Sequence, residues 1–389
     1  MTETPAEKIS AAGFPLYLQG LSAIDSYLGR KTAASVLALC GADLADLARI
    51  FDGLRYPGAA FADAAVDWLG GKTWYFRCDE IAAHGMPYCR SSFGFLDFYQ
   101  NCQTRRFYDP RGCYPLLRCI RGHTDDNADS PQWWETVNAD ADPFCALFDG
   151  AMILACYFPN TGSSEITKIA AMLRGFSGIA PPTTEEQRLL LIRLLEAANP
   201  APGFELLKRA GFIASFWPEL AVLDDVDHSK EFHPEGNVWR HTMETLRYRK
   251  PPGQAGFDLR LSLGLLLHDV GKPLAESAGR YRFNGHAELG EPLARRFLER
   301  LGFEAPLIHD VCYLVRHHML PAALSQLPLK RTGEIMESLL FPTLLELYRC
   351  DESSSFKGPD GFYQSSAAYQ SYLKNRRNPY RSAATRRFR

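Results

Sequence analysis

The segment LSLGLLLHDVGKP, residues 261–273, places two polar side chains at the end of an apolar helix. Its first seven residues are apolar apart from one serine and one glycine, which is typical of a helix buried on every side. His268 and Asp269 follow directly, and burying a neutral polar group without a partner costs about 2–7 kcal/mol. Gly271 and Pro273 predict that the helix ends just after the pair. The pair therefore needs a partner inside the protein.

Two helices further along the chain also place a polar side chain on an apolar face. In PLIHDVCYLVRHHML, His318 follows apolar residues by three, four and seven positions and shares their helical face, whereas His317 is turned away from it. We therefore predict His318 as the buried group and keep His317 as the reserve. In LLELYRCD, Asp351 has the same spacing from its apolar neighbours. A buried carboxylate at this position predicts a positive partner.

A divalent cation would satisfy all of these groups at once. The candidate ligands, in chain order, are His241, His268, Asp269, His286, His318 and Asp351. Neutral imidazole and ionised carboxylate fit one or two cations of Mn, Fe, Co, Ni, Zn or Mg. A single histidine is more often a core or surface residue than a ligand, but eight of the ten histidines lie between positions 228 and 318. His228, His233 and His309 fall outside the pattern, and we interpret them as surface or capping residues.

The order H, HD, H, H, D, with HDVGK, GHAELG and HHMLP, resembles the HD superfamily of metal-dependent phosphohydrolases. More narrowly, HPEGNVWRHT followed by LLLHDVGKP resembles the HD domain carried by a branch of the bacterial tRNA nucleotidyltransferase and poly(A) polymerase family. The resemblance implies a first metal shell and a further pair of ligands sufficient for a second cation. The first shell comprises His241, His268, Asp269 and Asp351, and the further pair comprises His286 and His318.

The resemblance also implies that the HD domain hydrolyses a phosphate ester with a metal-bound water. In that mechanism Asp269 both ligates a cation and orients the water. Lys272 and Arg282 would bind the substrate and stabilise charge on its phosphate oxygens. An ordinary solvated lysine is the alternative for Lys272. Arg282 lies in the loop GRYRFNG, where a basic residue also commonly faces solvent.

Composition sets broad limits on the protein. A chain of 389 residues with 46% apolar content is expected to form two or three domains with buried cores. The formal charge of −2 neither favours nor excludes a polyanionic partner. Ten cysteines without a C-x-x-C pair predict a reducing, cytoplasmic setting. The polar N-terminus predicts no signal peptide, and no apolar run approaches the roughly 20 residues that span a bilayer, so we predict no membrane partner.

The fold class expected from these patterns is α+β, mostly α. Strands predicted at 32–40, 59–66 and 73–78 alternate with helices at 7–13 and 44–51, which indicates an N-terminal α/β head with a mixed sheet at 1–145. Apolar residues at three- and four-residue steps predict a helical neck at 146–220. An all-α HD domain at 221–370 and a basic tail at 371–389 complete the predicted organisation.

The head resembles a degenerate nucleotidyltransferase catalytic domain of the same family. QGLSAIDSYLGRK keeps Gly20 and Asp25 of the family's opening turn, but no Asp or Glu follows until Asp43. The strand that holds two carboxylates in the family reads ASVLALC here. Two-metal nucleotidyl transfer needs clustered carboxylates, so the head is expected to have lost polymerase chemistry. Asp97 and Asp149 are interpreted, with Asp25, as caps and turn residues that do not restore it.

Two further regions bear on RNA and nucleotide binding. In the neck, Glu185 and Glu186 stand where the family has a Glu-Arg pair for base recognition, with Arg188 nearby. The C-terminal KNRRNPYRSAATRRFR contains seven Lys or Arg and no acid. Such a tail is commonly a solvated extension, and the alternative is a polybasic arm that binds RNA phosphates.

Three functions follow from these observations, in order of preference. The first is a metal-dependent phosphohydrolase, a phosphatase or phosphodiesterase acting on nucleotides or RNA ends. The second is a tRNA- or RNA-binding or regulatory protein that binds RNA through head, neck and basic tail. The third is an active CCA- or poly(A)-adding nucleotidyltransferase.

Overall fold

A computed structural model describes most of the chain, with gaps. The described residues are 3–30, 35–58, 61–68, 72–78, 92–122, 133–137, 141–174, 181–227, 236–249, 257–279, 283–324, 326–327, 329–355 and 358–376. The chain divides into two compact units, Met1–Phe212 and Ile213–Arg389. The predicted boundaries at 145, 220 and 370 are finer than this division and stay predictions.

The first unit contains a six-stranded mixed sheet. Its strands are β1 Leu16–Gln19, β2 Ser35–Cys40, β3 Ala64–Trp68, β4 Lys72–Cys78, β5 Tyr99–Asn101 and β6 Phe107–Tyr108. The strand order is β3-β4-β2-β1-β5-β6, in which β2 and β4 are parallel and the other neighbours are antiparallel. The mixed sheet predicted for the head is therefore confirmed.

Strand β2 lies inside the sheet, between β1 and β4. Five of its six residues are buried, which explains the nearly continuous apolar sequence SVLALC. Its parallel register pairs Ser35 with Thr73 and Cys40 with Cys78. The strand predicted at 32–40 is described from Ser35 onward, and β4 begins at Lys72, one residue before the predicted start at 73.

Helices surround the sheet and continue beyond it to the end of the first unit. Their bounds are α1 Pro5–Ala11, α2 Leu21–Leu28, α3 Leu44–Ile50, α4 Tyr114–Gly122, α5 Pro143–Cys156, α6 Ser163–Arg174, α7 Thr184–Glu196 and α8 Ala201–Arg209, followed by α9 Phe212–Phe216 at the division between the units. Helix α1 begins with a capping box, in which the Thr4 hydroxyl accepts from the Glu7 amide and the Glu7 carboxylate accepts from the Thr4 amide. Short 3₁₀ turns lie at Gly94–Leu96 and Trp133–Thr136.

The second unit is helical throughout its described residues. Its helices are α10 Pro218–Ala221, α11 Val238–Arg247, α12 Leu259–Leu267, α13 Lys272–Ser277, α14 His286–Arg300, α15 Ala305–His317, α16 Leu320–Ala323, α17 Leu329–Glu337, α18 Phe341–Ser353 and α19 Asp360–Arg376. A 3₁₀ turn at Val222–Asp225 directly follows α10. The predicted fold class, α+β and mostly α with an all-α C-terminal part, is confirmed.

Helix α12 is the centre of the second unit, because α11, α15 and α18 all pack against it. Asp258 caps its first turn by accepting from the backbone amides of Arg260 and Leu261. Its four leucines from 263 to 267 are fully buried, and each such side chain contributes about 1.5–3 kcal/mol. Gly264 allows close packing, since an added Cβ would lie 3.0 Å from a Leu314 methyl group and 3.1 Å from one of Leu347.

Two further sequence predictions concern the ends and surfaces of the chain. The basic tail was predicted from residue 371, but α19 continues to Arg376, and residues 377–389 lie outside the described part. Among the described residues, every helix is too short or too polar to cross a lipid bilayer.

Candidate metal centre

The structure brings all six predicted ligands together in the second unit. They form two groups of three, His241 with His268 and Asp351, and Asp269 with His286 and His318, and within each group the ligand atoms lie within 4.8 Å of one another. All but one of these residues are buried, and the Asp351 side chain keeps 22% of its surface exposed. Five separate helical segments supply them, so the cluster depends on the tertiary packing around α12.

Two of the histidines lie at helix C-termini and satisfy backbone carbonyls there. His268 directly follows α12, and its Nδ1 lies 2.8 Å from the Leu265 carbonyl oxygen. His318 directly follows α15, and its Nδ1 lies 2.7 Å from the Val315 carbonyl oxygen. A carbonyl only accepts hydrogen bonds, so the proton of each ring is on Nδ1. The unprotonated Nε2 atoms are thereby left to face the cluster.

The other two histidines are oriented in the same way by different partners. His286 Nδ1 donates to the Phe283 carbonyl at 3.0 Å. The Ser354 hydroxyl donates to the Asp351 carbonyl at 2.6 Å, so its oxygen is available to accept from His241 Nδ1 at 3.3 Å. All four imidazoles therefore present Nε2 lone pairs to one another and to the carboxylates.

This arrangement places hydrogen-bond acceptors against one another. His241 Nε2 lies 2.9 Å from Asp351 Oδ1, and His286 Nε2 lies 2.9 Å from His318 Nε2. His268 Nε2 is buried without a hydrogen-bond partner among the described residues. Neighbouring ligand atoms on one cation with bonds of about 2.0–2.2 Å are separated by about 3 Å. The donor set therefore fits divalent cations, because a cation between these atoms replaces repulsion with coordination.

Asp269 lies between the two groups and presents one oxygen to each. Its Oδ1 is 3.3 Å from His286 Nε2, and its Oδ2 is 3.2 Å from His268 Nε2 and 2.6 Å from Lys272 Nζ. Burial alone would raise the pKa of Asp269, but its interactions with the His268 ring and the Lys272 ammonium group lower it well below its usual value. The carboxylate is therefore ionised and able to bridge two cations.

The charge states of the remaining groups also favour metal binding. Burial, together with unfavourable interactions with the neighbouring rings of His268 and His286, lowers the pKa of His318 to about 3, so its ring is neutral near pH 7. Burial would raise the pKa of Asp351, but its close contact with the His241 ring lowers it below the usual value. Neutral imidazole and ionised carboxylate are the forms that bind metals.

A close backbone contact fixes the position of the HD pair relative to α14. A Cβ added to Gly271 would lie 2.1 Å from the His286 carbonyl oxygen and 2.5 Å from the Gly290 amide nitrogen. The sequence predicts that Gly271 and Pro273 end a helix. They do follow the end of α12, but Gly271 also caps α13 and Pro273 lies in its first turn. Gly271 therefore both allows the close contact with α14 and caps α13.

The other predicted residues lie outside the cluster. His317, the reserve ligand, is half-buried against the Tyr313 ring, with the ring centroids 4.8 Å apart. His309 is exposed and lies 3.6 Å from the Asp310 carboxylate. Arg282, predicted to bind substrate phosphate, lies outside the described residues, as do His228 and His233.

A family comparison now bears on this geometry. Residues 238–340 match the family model described as "HD domain". The chain carries an HD domain. The matched range contains five of the six clustered ligands, and Asp351 lies beyond its end. The HD domain predicted from the sequence is therefore confirmed, whereas the role of each ligand stays a prediction.

Curated relatives extend the comparison beyond the HD domain. The CC-adding tRNA nucleotidyltransferase of Thermus thermophilus is 37% identical over 147 residues, which are 36% of this chain and 32% of that protein. The A-adding tRNA nucleotidyltransferase of Deinococcus radiodurans is 28% identical over 267 residues, 66% of this chain and 57% of that protein. The chain thus spans about a third to just over half of the relatives' lengths. The predicted resemblance, an HD domain joined to a nucleotidyltransferase-like head, is confirmed.

Structural similarity to solved proteins is weaker. A CCA-adding enzyme in complex with ATP aligns over 96% of this chain and 81% of that chain, with 12% sequence identity and a TM-score of 0.46. At this score the likeness supports no functional statement.

The comparisons overturn the first functional prediction. The phosphohydrolase interpretation is wrong, because the relatives are named as nucleotidyltransferases, the function that sequence analysis placed last. The physical reason is that histidines and carboxylates specify a cation without specifying the reaction that the cation serves. What stands is the similarity to relatives named as tRNA nucleotidyltransferases, together with an HD domain whose His and Asp groups could bind metal.

Outside the HD domain, the three acids of the head each have their own surroundings. Asp25, in α2, accepts a hydrogen bond of 2.8 Å from the Tyr157 hydroxyl. Asp97 is buried and lies 3.0 Å from Arg111 Nε. Burial raises the pKa of Asp149, in α5, to about 7. Only Asp97 lies at a turn as expected, and no metal-binding group of three includes any of these acids among the described residues.

Glu185, which stands in the neck where the family has a Glu-Arg pair for base recognition, also has partners within the protein. Glu185 lies 2.6 Å from an Arg188 nitrogen and 3.2 Å from one of Arg55, and it accepts from the Tyr75 hydroxyl at 3.2 Å. Two guanidinium groups and a phenol leave little of this carboxylate for a nucleobase.

Proposed function

We propose that this protein binds the 3′-terminal region of a tRNA or a similar RNA, and that its head does not perform nucleotidyl transfer. The observation that carries the proposal is the contrast between the relatives and the head. The relatives are named for adding nucleotides to tRNA, whereas this chain has no acid between Asp25 and Asp43. Recognition of the RNA end is the part of that activity that does not require clustered carboxylates.

The state of the remaining head acids supports the same proposal. Nucleotidyl transfer by two metals needs acids that face a common cation. Asp25 is bound to a phenol and Asp97 to a guanidinium. A carboxyl such as Asp149, with a pKa of about 7, is half-protonated near neutral pH and so binds a cation weakly. We therefore expect RNA binding without transfer by this head.

The HD domain contributes the cation-binding part of the proposal. Residues 241, 268 and 351 would hold one divalent cation and residues 286 and 318 a second, with Asp269 between them. When bound, such a cation supplies a Lewis acid that coordinates phosphate oxygens. Lys272, whose Nζ lies 2.6 Å from Asp269, adds a positive charge on the same side and would bind a phosphate group of the RNA or nucleotide. The catalytic roles predicted for Asp269 and Lys272 stay predictions.

The proposal is tested with a tRNA transcript that ends in CCA and a matched transcript that lacks these nucleotides. We expect filter binding to give measurable affinity for both, weakening with rising salt because phosphate contacts release counterions. We expect no incorporation of labelled CTP or ATP into the shortened transcript. Absence of tRNA binding at low salt would overturn the proposal.

Nucleotidyl transfer itself is the second candidate, favoured by the names of the relatives. It requires that an acid of the head act on a cation, and Asp25 is the acid kept from the family's opening turn. Incorporation of CTP or ATP by the wild type that is lost in Asp25→Asn would establish this candidate. Under the first proposal, Asp25→Asn binds tRNA as the wild type does and neither protein incorporates nucleotide.

A further inference from the structure

One stretch of the first unit is strongly basic, although the whole chain is not. Residues 99–122 contain five arginines and one acid, a formal charge of +4, in a chain whose net charge is −2. The stretch comprises strands β5 and β6, the hairpin loop that joins them, and helix α4. We call it the hairpin–α4 face.

The single acid of this face is already used to cap α4. Asp109 accepts from the Cys113 amide at 2.6 Å and from the Tyr114 amide at 2.9 Å. Among the described residues it forms no ion pair with an arginine. Three arginines of this face are exposed and form no ion pair with a described residue: Arg105, Arg106 and Arg118.

The backbone at the tip of the hairpin retains an arginine where glycine would be less strained. Arg105 has φ +59°, a left-handed conformation that is unfavourable for a residue with a side chain. The tip is also held in place. The Asn101 side chain accepts from the amides of Gln103 and Thr104, and Gln103 Nε2 donates to the Ser10 hydroxyl at 2.9 Å. A strained and fixed arginine indicates a role for its side chain.

Half-buried aromatic rings accompany the arginines. Phe98 is fully buried, and Tyr27, Phe107 and Tyr114 pack around it with ring centroids 5.6–5.7 Å from its own. Tyr27 lies 5.4 Å from Phe107 and 5.6 Å from Tyr114. The three outer rings are each partly exposed, so this part of the first unit offers aromatic surface as well as exposed guanidinium groups.

We propose that the hairpin–α4 face binds single-stranded RNA, the guanidinium groups contacting phosphates and the aromatic rings contacting bases. Cations that follow a backbone, combined with aromatic side chains that stack on bases, are the features that bind single strands without sequence preference. The proposal rests on the proposed function, because it assigns part of the RNA to a particular surface. It does not involve the cations of the HD domain.

Arg105→Gly separates a binding role from a structural one. The substitution removes a phosphate contact and also relieves the left-handed strain. We expect affinity for a labelled 10-nucleotide oligoribonucleotide to fall by roughly three- to tenfold at low salt, with a salt slope smaller by about 0.7. The melting temperature is expected to stay constant or rise. A purely structural arginine would give the higher melting temperature with unchanged affinity, and that result would overturn the proposal.

Two further variants complete the experiment. Arg49→Ala removes another exposed charge, from α3, where Arg49 pairs with Asp46 at 2.5 Å, and should leave affinity unchanged. Phe107→Leu keeps apolar packing but removes a ring, and should weaken binding without changing the salt slope. If the wild type binds tRNA and the oligonucleotide but Arg105→Gly and Phe107→Leu bind equally well, this inference alone fails. If the wild type binds no tRNA, the proposed function fails with it.

Discussion

The two compact units place buried and half-buried acids in opposite surroundings. In the second unit, Asp269 and Asp351 face imidazole nitrogens that carry no proton, so acceptors meet acceptors. In the first unit, Asp25 meets the Tyr157 hydroxyl and Asp97 meets Arg111, each a donor of its own. The difference shows how a cluster of metal ligands is distinguished from acids that already have stable partners within the protein. In the cluster, hydrogen-bond acceptors face one another without a donor between them. A cation completes the cluster, whereas the paired acids need none.

Removing the carboxylate that the two metal groups share should have the largest effect. Asp269→Asn leaves Lys272 buried beside a neutral amide, and breaking a buried pair costs about 3–5 kcal/mol. We also expect loss of both cations, because each group loses a negatively charged oxygen. Elemental analysis after dialysis against Mn²⁺, together with urea unfolding, measures the two effects.

Asp351→Asn is the matched control for that substitution. Asp351 is partly exposed and belongs to only one of the two groups. We expect this variant to lose one cation and less stability than Asp269→Asn. Equal metal content in both variants and the wild type would remove the distinction between the two units.

Disturbing the backbone contact beside the HD pair should have the next largest effect. An alanine Cβ at position 271 would overlap backbone atoms of His286 and Gly290, which cannot move as a flexible side chain can. We expect Gly271→Ala to cost about 3 kcal/mol, at the upper end for overpacking, and to weaken metal binding. Thermal unfolding with and without Mn²⁺ measures both.

Gly333→Ala provides the control for this glycine. Gly333 lies in α17 with nothing within 4 Å of an added Cβ and without a left-handed φ. Replacing a helical glycine with alanine should stabilise the protein by up to about 1 kcal/mol. A Gly271→Ala variant as stable as Gly333→Ala would show that the two segments near the cluster do not need this close approach.

The metal cluster was largely predictable because helical periodicity reports burial. The apolar run before His268 and the spacing around His318 and Asp351 place polar groups on buried faces, and the structure has all three in the cluster. The partners of the imidazole Nδ1 atoms were not predictable. Phe283 contributes a backbone carbonyl, which any residue has, and Ser354 is an ordinary hydroxyl in the sequence.

The sheet was predicted in part, for reasons of strand length. Strands β2 and β4 have six and seven residues, long enough for an apolar run or an alternation to be visible. Strands β5 and β6 have three and two residues, too few to establish a period. The reaction was predicted wrongly because the ligand set does not encode it.

The Asp149 carboxyl gives a pH-dependent test of the first unit. Its pKa, raised by burial from 3.8 to about 7, means that the folded protein holds a proton that the unfolded chain releases. The wild type therefore loses stability as pH rises from about 4 to 7, and the loss is complete above 7. Asp149→Asn removes this dependence, so its advantage should grow by about 2–3 kcal/mol between pH 5 and pH 8. Urea unfolding at both pH values measures it.

Asp67→Asn should change the pH dependence of stability in the opposite direction to Asp149→Asn. Burial would raise the pKa of Asp67, but its hydrogen bonds with Arg55 and Thr73 lower it, so this carboxylate stabilises the fold above the unfolded pKa. The Asn variant is expected to be less stable than the wild type at neutral pH, with the difference disappearing as pH falls below 4. Parallel pH profiles for the two variants would contradict the assigned surroundings of both acids.

The smallest effect should come from removing the partner of Asp25. Tyr157→Phe deletes the hydroxyl that donates to this carboxylate at 2.8 Å. The loss of a hydrogen bond to a charged group costs about 1.5–3 kcal/mol. The cost should be smaller here because the positive charges of Arg193 and Arg30 also stabilise the Asp25 carboxylate. We expect a loss near 1 kcal/mol by urea unfolding, most of it absent when Asp25→Asn is already present, as in a double-mutant cycle. The metal content of the protein should be unchanged, since a hydroxyl donor, and not a cation, is the partner of the Asp25 carboxylate. If Tyr157→Phe bound an additional Mg²⁺ or Mn²⁺, the acid of the head would be a latent ligand that the phenol keeps occupied, and the contrast between the two units would depend on a single hydroxyl group.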